Sequence, residues 1–413
     1  MSHTTAVTLR PRTARPEPGV VDVLGLLPTI VGNELVLGTV RDTHRAWATR
    51  VHSVADKVTG GRARAPHLIH DAIANSVYGS IGIGLAAAGL ALRTAGRAGV
   101  GPRLEATPQG RFVRSAINGL IGDRFEAEDS SLAIDISVRL GGRDVAVRRD
   151  ALASAFPGAT PRVAVFIHGL GENEDFWRLH RDEVGTTYAE TLGGLGWSPV
   201  MLRVNTGRAI RENGVELAAL LRELVAQWPG GVERIALVGH SMGGLIARAA
   251  CAVAIDDERP WTERISDVIT LGSPHAGAPA AVLAGRGSRV LAHLPETSAF
   301  GRILDQRSVG IEDLVEGLGH DVPPMPGVKY RLVSAALTSS PTHPVGRVLG
   351  DLLVQVPSAH GHSRRAPALF PDADLLHLPR TDHFGLLNHP DVHRHLARWL
   401  GEPVTPSRRP RRA

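Results

Sequence analysis

Apolar positions change their period once along this chain, near residue 131. Before that point Val36, Val40, Trp47, Val51, Val54 and Val58 recur at helical spacing and stop at Gly60-Gly61, which predicts an amphipathic helix from Asn33. A shorter helical pattern runs through Val113, Ile117, Leu120 and Ile121. From Leu132 the side chains alternate instead. Leu132, Ile134, Ile136, Val138 and Leu140 are set against Ala133, Asp135, Ser137 and Arg139, and Gly141-Gly142 then leads into "RDVAV". That is the pattern of a β-hairpin with a two-residue loop. Continuous apolar runs follow at 163–167, 199–204, 235–238, 268–271, 330–335 and 375–378, with helical patterns between most of them. Short runs without alternation suit strands covered on both faces. The prediction is an α/β fold with a mostly parallel central sheet and helices on both faces.

A chain of 413 residues has room for one such domain and an accessory region. The pattern divides it into a Pro- and Arg-rich tail expected to be disordered (1–20), a helical N-terminal region (21–125), the α/β domain (126–402) and a basic tail (403–413). Residues 276–328 break the strand-helix rhythm and are expected to form a helical cap or lid insertion. The segment 72–92, "AIANSVYGSIGIGLAAAGLAL", carries no formal charge, yet it holds four glycines, six alanines and seven Ile, Leu or Val residues. Ser80, Gly84 and Ala88 form a small-residue stripe in it, so a buried, tightly packed helix is expected, with peripheral membrane contact left open.

Composition narrows the classes further. The single cysteine, Cys251, excludes an internal disulfide and a thiolate-cluster metal site, and its place after an apolar run reads as a small buried residue. The net charge is +5 and the pI about 10.0, but the basic residues are almost all arginines spread along the chain, with Lys57 and Lys329 the two lysines. No basic stripe with interleaved aromatics is present, so no nucleic-acid partner is expected. No apolar core follows the arginines of the N-terminus, so no secretory signal peptide is expected and the expected location is cytoplasmic, with membrane association left open.

The chemistry concentrates at "RIALVGHSMGGLIARAA", residues 234–250. An apolar strand must turn within about four residues into a helix, and Gly239 and Gly243 flank Ser241 where a side chain would collide with strand or helix; this is a nucleophile elbow. A serine nucleophile needs a base, a group to orient that base, and oxyanion donors. The loop His168-Gly169-Leu170-Gly171 after the first parallel strand supplies Leu170 N–H, and Met242 N–H follows the nucleophile. His383 in "LPRTDHFGLLNHP", beyond the last strand, is favoured as the base over His377 and His389. Asp382, its neighbour in sequence, is poorly placed to hold its Nδ1. Asp351 in "VLGDLLVQVPSA" is the favoured acid, with Asp321 and Asp374 as rivals.

Residues 131–402 resemble the α/β-hydrolases of lipase/esterase type. "GHSMGGLIAR" together with "TLGSPHAGAP" is similar to bacterial triacylglycerol lipases and GPI inositol-deacylase-like lipases, and "GDLLVQVPSA" is similar to their G/S-D-x-x-V-P stretch with Gln355 intervening. The resemblance implies Ser241 as nucleophile, Asp351 and His383 as its partners, and "HGLGEN" as the oxyanion loop. The expected function is hydrolysis of a carboxylic ester, with an acyl or lipid ester as partner, through an acyl-enzyme and without metal or other cofactor. The sequence leaves open an acyltransferase using the same intermediate, an inert hydrolase-fold scaffold, and the oligomeric state.

Overall fold

The structure, a computed structural model, describes residues 15, 17–27, 90, 91, 94, 95, 102–253, 260–278, 308–319, 322–339, 351, 353–362 and 367–401. The helix expected from Asn33 to Val58, nearly all of the segment 72–92, most of both tails, residues 279–307 of the insertion and the rival Asp321 lie outside the described residues. No helix among the described residues is long and apolar enough to cross a membrane. The chain forms two compact units, one of residues 1–134, 205–209 and 278–315 and the other of residues 135–204, 210–277 and 316–413.

The second unit is built on an eight-stranded sheet of β1 (Ser137–Leu140), β2 (Arg143–Val145), β3 (Arg162–Ile167), β4 (Ser198–Arg203), β5 (Arg234–His240), β6 (Ile265–Leu271), β7 (Lys329–Ala336) and β8 (Asp374–Pro379). Their order is β2-β1-β4-β3-β5-β6-β7-β8. β1 is antiparallel to β2 and β4, and every other pairing is parallel. The predicted hairpin is present. Its two loop residues, Gly141 and Gly142, have φ of 56° and 78°, the paired positive values that only glycine adopts without strain in a tight primed turn. The central strands are predominantly apolar because both faces are covered; Val163 to Ile167 are fully buried. On one face Phe166, Trp177, Trp197, Val238, Ile269, Leu378 and Leu396 form a continuous core. This is the α/β-hydrolase arrangement, and it positions the chemistry by topology. The chain passes from β3 outward to β4 and then crosses back to β5 on the other side of β3, so the order reverses at β3, and it is at the carboxyl ends of the strands beside such a switch point that open α/β sheets bind ligands.

The first unit holds the helices Val20–Leu27 and Pro108–Ala127. The second starts at Thr107, whose side chain accepts from Gly110 N, with Pro108 at its first position, and it contains the predicted run from Val113 to Ile121. Leu104, Phe125, Leu132 and Ala133 form a small core with Val20, Val23, Ile117 and Ile121 packed on it. The alternation from Leu132 predicts a strand as far as Leu140, but only Ser137–Leu140 is paired. The physical reason lies on the helix. Arg114 donates to the carbonyls of Ser131, Leu132 and Ala133, while Asn118 donates to Leu132 O at 2.8 Å and accepts from Ile134 N at 3.1 Å. These side chains take the backbone groups a neighbouring strand would have used. Within β1 Val138 is buried as expected, but Leu140 is 47% exposed and Arg139 is buried.

Asn118 is fully buried and satisfies backbone groups on both sides of Ala133. Asn118→Ala leaves Ile134 N–H without its acceptor, so the unfolding free energy should fall by about 1–3 kcal/mol. Urea unfolding followed by circular dichroism measures it; an unchanged midpoint would show that the clamp contributes nothing.

Candidate active site

β5 ends at His240, and the helix Met242–Cys251 begins two residues later. Ser241 makes the turn with φ 52° and ψ −121°, a left-handed conformation that is strained for a residue with a side chain. Its N–H donates to Leu271 O at 2.8 Å, which ties the turn to the end of β6. The flanking glycines are required by space. A Cβ on Gly239 would lie 2.3 Å from Gly244 N, and one on Gly243 would lie 2.1 Å from Ile167 O. The helix beyond the turn is buried along its whole length. Arg248 on it donates to the carbonyls of Leu318, Gly319 and Val322, fixing that segment to the elbow helix. Cys251 is buried at its end, and burial pushes its thiol up to about 12.

The structure brings His383 and Asp351 together. His383 Nδ1 lies 2.8 Å from Asp351 Oδ2, and the His383 N–H donates to Asp351 O at 3.1 Å. Asp351 Oδ1 accepts from Leu353 N at 3.0 Å and Val354 N at 2.7 Å, so the carboxylate is held from both sides and is almost fully buried. The imidazole lies over the end of β6, where a Cβ on Gly272 would be 3.1 Å from His383 Cε1. It also stacks beside His240, the residue before Ser241, at 4.8 Å between ring centroids. The other candidates are elsewhere engaged. Asp374 pairs with Arg331 and is half exposed, Asp382 accepts from Gly385 N, His377 Nδ1 lies 3.0 Å from Ser334 Oγ, and His389 accepts from Asp391 N at the start of the last helix.

The loop leaving β3 lies directly against the elbow. A Cβ on Gly169 would come within 2.9 Å of Ser241 Cβ, so the backbone leading to Leu170 runs alongside the serine. Met242 opens the helix, where an N–H has no acceptor within the helix. His168 Nε2 accepts from Val204 N at 3.1 Å, which puts the ring proton on Nδ1, 2.9 Å from Gly169 O; burial lowers its pKa and keeps it neutral.

Two carboxylates in this loop were not singled out from the sequence. Glu172 is buried, accepts from Gly169 N at 2.8 Å and meets His240 Nδ1 at 2.8 Å. Burial works against both charges, but each partner outweighs it for the other: the Glu172 carboxyl is lowered and the His240 imidazole raised from their ordinary values. Glu174 accepts from Arg139 Nε at 2.9 Å and from Arg203 at 2.8 and 2.6 Å, and these two guanidiniums hold its carboxyl low against the opposing effect of burial. Arg139 is therefore held in the interior on β1, which accounts for a buried charge at a position expected to face water. The available signal was three titratable residues, Glu172, Glu174 and His240, within loops already carrying the motif. Among the described residues no group of three or more His, Cys, Asp or Glu side chains converges as a metal site.

The chain is thus an α/β-hydrolase in fold, resembling the lipase and esterase type. Residues 205–293 match the family described as PGAP1-like alpha/beta domain. Among solved structures it is similar to the mature form of a Bacillus licheniformis lipase at 22% identity, covering 59% of this chain and 92% of that one with a TM-score of 0.41. It is likewise similar to EstA from Clostridium botulinum at 16% identity, 59% and 88% coverage and a TM-score of 0.39. An esterase of Pyrococcus furiosus is similar at 17% identity, 59% and 83% coverage and a TM-score of 0.36. No curated protein matches the chain in sequence.

The contact of Gly243 with the end of β3 makes a sharp prediction. Gly243→Val drives a branched side chain into the Ile167 and His168 carbonyls and should prevent accumulation of folded protein, whereas Gly194→Val, at a position with open space around it, should express normally. Soluble yield and near-ultraviolet circular dichroism compare them; a well-folded Gly243→Val would contradict the close approach.

Proposed function

We propose that this chain is a serine hydrolase that cleaves carboxylic esters, with acyl lipids as its substrate class. The observation that carries the reading is the buried His383–Asp351 pair, 2.8 Å between Nδ1 and Oδ2, beside an elbow serine in a strained left-handed turn. In this reading Ser241 Oγ attacks the ester carbonyl as His383 Nε2 takes its proton. Asp351 holds Nδ1–H, which fixes the tautomer and stabilises the imidazolium formed during attack. The N–H groups of Leu170 and Met242 receive the developing oxyanion. The imidazolium then protonates the leaving alkoxide, and water attacks the acyl-enzyme with His383 again as base, returning the acid and free Ser241. Phe384 and Leu353, next in sequence or nearly so to His383 and Asp351, are 42% and 45% exposed, an apolar margin suited to an acyl chain.

A fluorophosphonate probe should label the wild type at Ser241 and leave Ser241→Ala unlabelled. Asp351→Asn should keep the fold and lower kcat on a soluble short-chain ester by about 10⁴-fold, because the imidazole is then held in the wrong tautomer. Labelling of Ser241→Ala at full stoichiometry, or near-normal turnover by Asp351→Asn, would contradict the assignment.

A further inference from the structure

The oxyanion loop, the elbow and the His383 loop are joined by one pair of side chains that the hydrolytic steps do not themselves use. Hydrogen-bond geometry shows where its protons lie. His240 Nε2 lies 3.2 Å from the His383 carbonyl oxygen, which can only accept, so Nε2 carries a proton. Nδ1 is straddled by the two oxygens of Glu172, at 2.8 and 3.0 Å, and one of those oxygens already accepts the Gly169 N–H. One proton is shared between Nδ1 and Glu172, and the Gly169 N–H donated to the same carboxyl favours its ionised form, with that proton on Nδ1. The pair is buried, so its Coulomb attraction is little screened.

We propose that Glu172 is a positioning residue: as a carboxylate paired with a doubly protonated His240, it holds the Gly169–Leu170 backbone in place for an oxyanion and tethers the His383 loop to the nucleophile elbow. The proposal rests on the hydrolase reading above. The pair holds its charges against burial, with Asp351 beyond it also favouring the charge on His240. His168 faces Glu172 as a neutral ring, Trp177 and Phe384 pack about 6 Å from His240 ring to ring, and Asp351 adds a second negative group beyond His383. With the Glu172 carboxyl lowered and the His240 imidazole raised, the charged pair persists between those two values and is lost as pH rises through the elevated histidine value or falls through the lowered carboxyl value. Glu172→Gln is the informative variant. Its amide can still accept from Gly169 N and donate to a now neutral Nδ1, so the shape and hydrogen bonds are retained while the charge is removed.

The test uses the full chain labelled with ¹⁵N-histidine at pH 8, where an ordinary imidazole, with pKa about 6.5, is neutral. One imidazolium should persist in the wild type and in Ser241→Ala, and be absent from Glu172→Gln and from His240→Gln. In kinetics, Glu172→Gln should lower kcat on p-nitrophenyl butyrate by about 10- to 100-fold and weaken inhibition by a trifluoromethyl ketone in parallel, with KM and the melting midpoint little changed. Glu172→Asp should recover part of the loss. A wild-type spectrum without an imidazolium overturns the charged pair even if no variant folds. Unchanged kcat and inhibition in folded Glu172→Gln overturn the positioning role. Absence of fluorophosphonate labelling at Ser241 in the wild type would instead remove the hydrolase reading and with it the positioning role, while the spectrum still reports the pair.

Discussion

The site depends on how closely the elbow is pressed against the end of β3. At Gly243 the carbonyls of Ile167 and His168 occupy the space where any Cβ would go, and at Gly169 the Ser241 side chain does the same in return. These mutual contacts put the loop after β3 beside the serine. Parallel pairing does the rest, since the β5–β6 register sets His240 opposite Leu271, brings Ser241 N to Leu271 O, and leaves Gly272 beneath the His383 ring. Three loops from three strands therefore converge because the strands are in register. The left-handed conformation of Ser241 costs about 1–3 kcal/mol, which the buried elbow helix and the sheet pairing on both sides of β5 offset.

A glycine-rich loop gains close approach at the expense of rigidity, and here two buried carboxylates restore it. Glu172 fixes the loop to the elbow through His240, and Glu174 fixes its far end to β1 and β4 through Arg139 and Arg203. Buried ion pairs of this kind add little net stability, because desolvating the charges consumes most of the attraction. What they provide is a defined geometry: each carboxylate oxygen has a specific donor, and removing either partner strands a charge. Asp351 follows the same logic, with two backbone N–H groups on one oxygen and the imidazole on the other.

Much of the fold was legible because its signals are local. The Gly141-Gly142 turn and the apolar runs of β3 to β8 each depend on a few neighbouring residues. The spacing of Gly239, Ser241 and Gly243 likewise announces a turn whose shape follows from short-range sterics. The juxtaposition of Asp351 with His383 could be expected only from loop order at the sheet edge, and the structure supplies the distance. Illegible features were those that depend on residues far apart in the chain. Residues 132–134 read as a strand because nothing local shows that Arg114 and Asn118 take their backbone groups. Arg139 is buried against the alternation because Glu174, 35 residues away, holds its guanidinium inward. Nothing local in the sequence marks Glu172 and His240; only their burial against each other reveals the pair.

The proposed hydrolysis rests on acylation of Ser241 by an ester, with His383 as the base. Rapid-quench mass spectrometry with p-nitrophenyl butyrate measures this most directly, with nitrophenol release followed in the same mixing experiment. The account predicts a burst of nitrophenol approaching one equivalent when deacylation is the slower step, and in every case a butyryl adduct that maps to the peptide containing Ser241. Turnover with an adduct on another residue, or sustained hydrolysis in which no adduct forms at Ser241 at any quench time, would contradict it.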